Sequence, residues 1–295
     1  MGNAPFADTA GPGDVRTALV LAGGGSLGAI QVGMLAELLT ANARIDFVVG
    51  VSAGAINGAF FAHAPDTDTV ARLTELWSRV TTREALGLSW ASLLGVAGLR
   101  GHIANPRGVR GLLERHLPYR DFGETALPLH IVCAELITGE EVVLSQGAVI
   151  EAVLASTAIP GVFPPVSVGG RMLVDGVVAS GTPIAAARRL GATRAIVLPC
   201  GFACAAKAVS GRALGRAMHA ITLLGARQLR ADFERYSEIM TISVVPPLCP
   251  LSQSSYDYSR GAALITRARE STRAWLDGGG LGRHEFPGPL EIHAH

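Results

Sequence analysis

The chain has 295 residues, of which 49% are hydrophobic and 17% charged, and its formal net charge is +1. That supplies apolar material for one large domain with a sizeable core, and the even charge balance excludes the basic excess of a nucleic-acid-binding protein. The cysteines, Cys133, Cys200, Cys204 and Cys249, form no CxxC pair and no Cys/His cluster at zinc spacing, so they read as free thiols in a reducing compartment, with no metal site expected.

Residues 1–15 begin MGNAPF and carry no basic segment followed by an apolar run, so no secretory signal is expected there. Gly2 invites an N-myristoylation reading, but Phe6 stands where Ser or Thr is needed. This stretch is expected to be a flexible lead. Thr17–Leu21 (TALVL) is a short apolar run that ends in glycines and predicts a strand. Helical spacing of Ile30, Met34, Leu35 and Leu38 predicts a helix over 29–39, followed by a strand at 47–49 and a second helix at 53–62. Strand, helix, strand, helix with short connections is the signature of a parallel sheet covered by helices.

Further helices are predicted at 68–80 and 106–116. The uncharged run from Ala85 to Leu99 lies between them, below the roughly 18–20 residues that span a bilayer. It reads either as a buried segment or as a lid over an apolar substrate. Strands are predicted at 129–134, 141–144 and 171–174, with a helix at 150–156 that stops before Ile159-Pro160-Gly161. A helix from Pro183 to Leu190, a strand at 195–198, a long helix over 212–236, a strand at 240–244 and a helix over 259–276 complete the chain. Residues 16–276 are therefore expected to form one α/β domain. The glycine-rich stretch 277–295 is expected to be a flexible tail. With no membrane span or signal, a cytoplasmic protein is expected.

Gly23-Gly24-Gly25-Ser26-Leu27-Gly28 fits G-x-G-x-x-G between a strand and a helix, which is the context of a dinucleotide-binding loop. Such a loop wants an acidic residue about 20 positions on, at the end of the next strand. Asp46 is eighteen positions beyond Gly28 but at that strand's start. A triphosphate loop is excluded, because Ala29-Ile30 follow Gly28 where Lys and Ser or Thr are required.

Gly50-Val51-Ser52-Ala53-Gly54 occupies the end of the second strand and fits G-x-S-x-G. A serine raised on a sharp strand-to-helix turn needs glycine two residues to either side, where a Cβ would meet neighbouring backbone. With its strand before it and its helix after it, Ser52 is the candidate nucleophile. The positive end of the helix beneath it would favour an anion forming there.

The base is open on these grounds. His63 lies at the far end of the helix that Ser52 starts, about 16 Å away at 1.5 Å per residue. His284, His293 and His295 lie in the tail; of the internal histidines, which include His102, His116 and His130, only His219 would complete the order Ser, Asp, His, and it sits in mid-helix. Asp175 follows a strand and precedes Gly176, where it reads either as a base or as a turn aspartate bonding locally.

Taken together and in order, GGGSLGA, GVSAG, ASTAIPGVFPPV and VDGVVASGTPI resemble the patatin-like phospholipase family over roughly residues 16–198. The resemblance implies a three-layer α/β/α sandwich with a mostly parallel central sheet. It also implies a Ser–Asp dyad without histidine, no cofactor, and hydrolysis of fatty-acyl esters of (phospho)lipids, in the manner of a phospholipase A or lysophospholipase. It assigns the nucleophile to Ser52, the proton acceptor to Asp175, and the oxyanion hole to the Gly23, Gly24, Gly25, Ser26 and Gly28 backbone. Transient contact with a membrane surface goes with such a substrate. Many family members carry arginine where this chain has Leu27, and Gly or Ala where it has Val177. A dinucleotide-binding protein, or a catalytically idle protein of the same fold, are the competing readings.

Overall fold

The computed structural model describes residues 15–87, 102–201 and 213–290. All fifteen predicted strands and helices are present, with no more than small shifts of their ends. The first helix is α1 (Gly28–Thr40), flanked by strands β1 (Thr17–Leu21) and β2 (Phe47–Val51). Next come α2 (Ala53–His63), α3 (Thr67–Arg79), the single turn α4 (Thr82–Ala85) and α5 (Arg107–His116). The middle of the chain forms β3 (Leu129–Glu135), β4 (Glu141–Leu144), α6 (Val149–Ser156), β5 (Val166–Val168) and β6 (Arg171–Asp175). It ends in α7 (Ile184–Arg189), β7 (Arg194–Leu198), α8 (Ala213–Tyr236), β8 (Thr241–Val244) and α9 (Gly261–Asp277).

The strands form one sheet in the order β5-β6-β3-β2-β1-β7-β8, with β4 on β3. Neighbours from β3 through β8 are parallel, and the pairs β3–β4, β3–β6 and β5–β6 are antiparallel. Side chains alternate along each strand, so each buried strand feeds two cores. Leu19, Leu21, Val48 and Ile196 pack with α1, α2, α3 and α9 on one face. Ala18, Val20, Val49 and Val197 pack with Ile184, Leu229 and Phe233 of α7 and α8 on the other. This is the expected three-layer α/β/α arrangement.

Two expectations are corrected. Strand β5 is absent from the sequence reading because it is three residues between Pro164-Pro165 and Gly169-Gly170, too short to show alternation; only its pairing with β6 makes it a strand. The flexible tail does not begin at Asp277. The Leu281 carbonyl accepts from Ser243 Oγ (2.9 Å) and Arg194 Nη2 (2.6 Å), His284 Nδ1 accepts from the Ile242 amide (3.0 Å), and Leu290 is buried. The reason lies in β8, an edge strand whose outer backbone groups would otherwise be unpartnered. The Ala85–Leu99 lid expectation falls, beyond Gly87, outside the described residues.

Strand register places the site. Cys133 of β3 faces Val142 of β4 on one edge and Asp175 of β6 on the other, whereas Val132 faces Val143 and Val51. Thus β2 and β6 share one edge of β3 and meet end to end, one parallel and one antiparallel to it. The residue after β2 and the last residue of β6 come together there. Those residues are Ser52 and Asp175.

Candidate active site

Ser52 joins β2 to α2 with φ 54° and ψ −120°, a left-handed backbone that a side-chain-bearing residue adopts at a cost of about 1–3 kcal/mol. The surroundings hold it. Its amide donates to Ser156 Oγ (2.9 Å), which itself donates to the Val132 carbonyl (2.6 Å), and its carbonyl accepts from Ala55 at the first turn of α2. Gly54 lies against the Leu21 and Ala22 carbonyls, where any Cβ would collide, so the turn admits no larger residue. Gly50 packs in the same way against Gly54.

Ser52 Oγ donates to Asp175 Oδ2 at 2.7 Å. Asp175 is fully buried, its amide donates to the Ala158 carbonyl (2.9 Å), and its Oδ1 accepts from the Val177 amide (3.0 Å). Burial raises its pKa to about 7, against the lowering effect of the Val177 and Ser52 hydrogen bonds. One oxygen of Asp175 closes the local turn and the other faces the serine, so the turn contact does not exclude the second reading. Gly176 packs beneath, against the Val132 carbonyl and Val51. Val177 keeps the turn because it acts through its amide.

The glycine loop faces the same cleft, but its five proposed residues are not equivalent. The Gly23 amide donates to Gly181 O (3.0 Å), the Ser26 amide to Ser255 O (2.8 Å), and the Gly28 amide to the carbonyls of Gly25 and Ser26. These three are already spent. The Gly24 and Gly25 amides make no hydrogen bond among the described residues, and both residues line the cleft with Ser52 and Asp175. Of the five residues expected to form an oxyanion hole, Gly24 and Gly25 are the two whose amides stay open. Leu27 is buried in the core and does not line the cleft, so an arginine's absence leaves no apolar side chain there.

The competing residues lie elsewhere. Asp46 accepts from the Thr17 amide (2.7 Å) and pairs with Arg44, at the strand ends opposite the loop and roughly 16 Å away along β1. His63 stacks on Tyr119, and His130 is buried against Phe47 and Ser145 with its pKa lowered to about 4 by desolvation. No described histidine, His102, His116 and His219 included, lines the cleft.

The cleft divides at Ser52. One branch, about 710 Å³ with its open mouth, runs past the glycine loop, Val177 and Thr182 to Ile221, Thr222 and Leu229 of α8. The other runs past Ile56, Trp77, Val109 and Tyr258 and continues into a chamber bounded by Phe60, Leu76, Val80, Leu112 and Leu113. That second branch is almost wholly apolar. Sequence reading missed Ser156, which braces the nucleophile; a serine at a helix end before Ile-Pro-Gly was its only signal.

A buried serine–carboxylate pair at abutting strand ends, beside two free amides, defines a site suited to acyl transfer. Residues 19–188 match the Patatin-like phospholipase family, and the chain belongs to that family. It is 36% identical to an NTE family protein of Mycobacterium tuberculosis over 54% of this chain and 26% of that one. It is 32% identical to a lysophospholipase of Aspergillus terreus over 54% of this chain and 10% of that one. The chain therefore spans about a quarter or less of the length of these curated relatives. Among solved structures, VipD from Legionella pneumophila aligns over 90% of this chain and 67% of its own, with 13% identity and a TM-score of 0.43.

Proposed function

We propose that this protein is a serine acyl hydrolase acting on fatty-acyl esters of lipids, of the phospholipase A or lysophospholipase type. The observation that carries the proposal is the 2.7 Å hydrogen bond from Ser52 Oγ to a carboxylate that burial has made more basic. Ser52 Oγ attacks the ester carbonyl carbon while Asp175 Oδ2 takes its proton. The amides of Gly24 and Gly25 hold the oxyanion. As the tetrahedral species collapses, the bond to the leaving alcohol breaks and Asp175 returns the proton to that oxygen. Water then repeats the sequence on the acyl-enzyme, releasing the fatty acid and restoring Ser52. The family membership and the relative named lysophospholipase support the substrate class.

In this reading the apolar branch takes the acyl chain and the more polar branch the leaving alcohol. The test is a series of p-nitrophenyl esters from acetyl to palmitoyl, with phosphatidylcholine and its lyso form alongside. Ser52-dependent hydrolysis is expected, rising with chain length; failure to hydrolyse any acyl ester, with no fluorophosphonate labelling of Ser52, would refute it. Filling the far chamber with Leu113→Trp is expected to lower kcat/KM for the palmitoyl ester about 10-fold and leave the acetyl ester within about twofold.

Among the described residues, no helix is long and apolar enough to cross a membrane. Contact with a lipid surface is assigned to α8, whose inner face closes the cleft. Its outer face carries Leu223 and Leu224, 40% and 66% exposed, between exposed Arg216 and Arg227. An apolar pair flanked by cations suits an anionic lipid surface. Replacing both leucines by glutamate is expected to lower hydrolysis of vesicle-borne phospholipid about 10-fold, with soluble acetyl ester unaffected; equal loss on both would refute this assignment.

A further inference from the structure

Beneath the glycine loop lies a chain of buried polar side chains that the dyad does not use. Gln31 of α1 and Asn57 of α2 have no exposed surface, and Trp77 of α3 is 4% exposed. Gln31 Nε2 donates to the Ala22 carbonyl (2.9 Å) and the Leu198 carbonyl (2.8 Å). Its Oε1 accepts from Asn57 Nδ2 (2.9 Å), whose second proton goes to the Gly28 carbonyl (2.9 Å). Asn57 Oδ1 accepts from Trp77 Nε1 (2.8 Å). Each amide is oriented by the next, because an indole N–H only donates and a backbone carbonyl only accepts.

We propose that Gln31, Asn57 and Trp77 are positioning residues for the oxyanion hole, an inference that rests on the acyl-hydrolase reading above. Ala22 immediately precedes the loop and Gly28 ends it, so the network grips the loop at both ends. The two free amides, Gly24 and Gly25, lie between those grips. Asn57 stands on the helix that Ser52 starts, so the same bonds tie the nucleophile's support to the loop. Trp77 also walls the apolar branch. An oxyanion donor works by being in place before charge develops, and a misplacement of about 1 Å costs on the order of 10² in rate.

Satisfying buried carbonyls would by itself make these residues structural, and the test separates the two roles. Gln31→Met keeps length and volume but deletes both donors. Its kcat on an acetyl ester, per Ser52 titrated to completion with fluorophosphonate, is expected to fall on the order of 10²-fold with KM within about twofold. The affinity for a trifluoromethyl ketone, whose adduct carries the oxyanion, is expected to fall by the same factor as kcat/KM. A structural role would reduce the number of titratable sites and leave kcat per site unchanged. Trp77→Phe deletes the outermost donor along with part of the ring that walls the apolar branch, so it is read on the acetyl ester and serves where Gln31→Met does not melt cooperatively; a several-fold fall in kcat per site is expected. A kcat per site within twofold of wild type in the folded variant overturns the inference. Ester hydrolysis by wild type that survives Ser52→Ala would instead overturn the hydrolase reading itself.

Discussion

Ser52→Ala is expected to lower kcat for acyl esters by a factor on the order of 10⁴–10⁶, leaving the fold intact. The hydroxyl is the only group removed, and alanine must still adopt the φ of 54° that the Ser156 brace and α2 impose. Asp175→Asn should be comparably severe, since the amide keeps the shape of the carboxyl but cannot accept the serine proton. The measurement is steady-state hydrolysis, with circular dichroism to confirm folding; full activity in folded Ser52→Ala would refute the mechanism. In the wild type, kcat/KM should rise with pH through about 7, as Asp175 ionises.

The same carboxylate makes an opposite prediction for stability. Its pKa is about 3.8 in an unperturbed chain and about 7 when folded, so between those values the folded state holds a proton that the unfolded chain has released. Stability from this group is therefore fully present below pH about 4 and lost as pH rises through about 7. Asp175→Asn removes that loss, and its Tm should exceed the wild-type Tm at pH 8 by more than at pH 5. No such divergence would mean that the carboxylate is better solvated than its burial implies.

Gly25→Ala is expected to lower kcat on the order of 10²–10³-fold, the loss that accompanies one misplaced oxyanion donor. Gly25 has φ 57°, and a Cβ there would run into the Ser255 carbonyl, the group that anchors the Ser26 amide. The substituted loop must shift, carrying one of its two free amides with it. KM should change little, because the ground-state carbonyl makes weaker demands on that amide than the oxyanion does. A loss confined to KM would place Gly25 in substrate binding instead.

Locally written features were legible in the sequence. The Gly-x-Ser-x-Gly turn needs close backbone approach, so its glycines announce Ser52, and apolar periodicity announces the strands and helices around it. Asp175 was legible only as one of two readings, since an Asp-Gly turn looks the same whether or not a serine lies opposite. The sequence order of motifs resolved it by resemblance.

What only the tertiary structure decided depends on contacts between distant segments. The pairing of β2 and β6 on one edge of β3 brings together residues 123 positions apart. Gly181 and Ser255 take up the amides of Gly23 and Ser26, which leaves Gly24 and Gly25 open. The tail docks because β8 is an edge, a fact of sheet order. By itself the sequence marked Ser52 as the candidate nucleophile. Burial and long-range hydrogen bonds, which no local pattern records, decided which carboxylate faces that serine and which two amides of the glycine loop stay open.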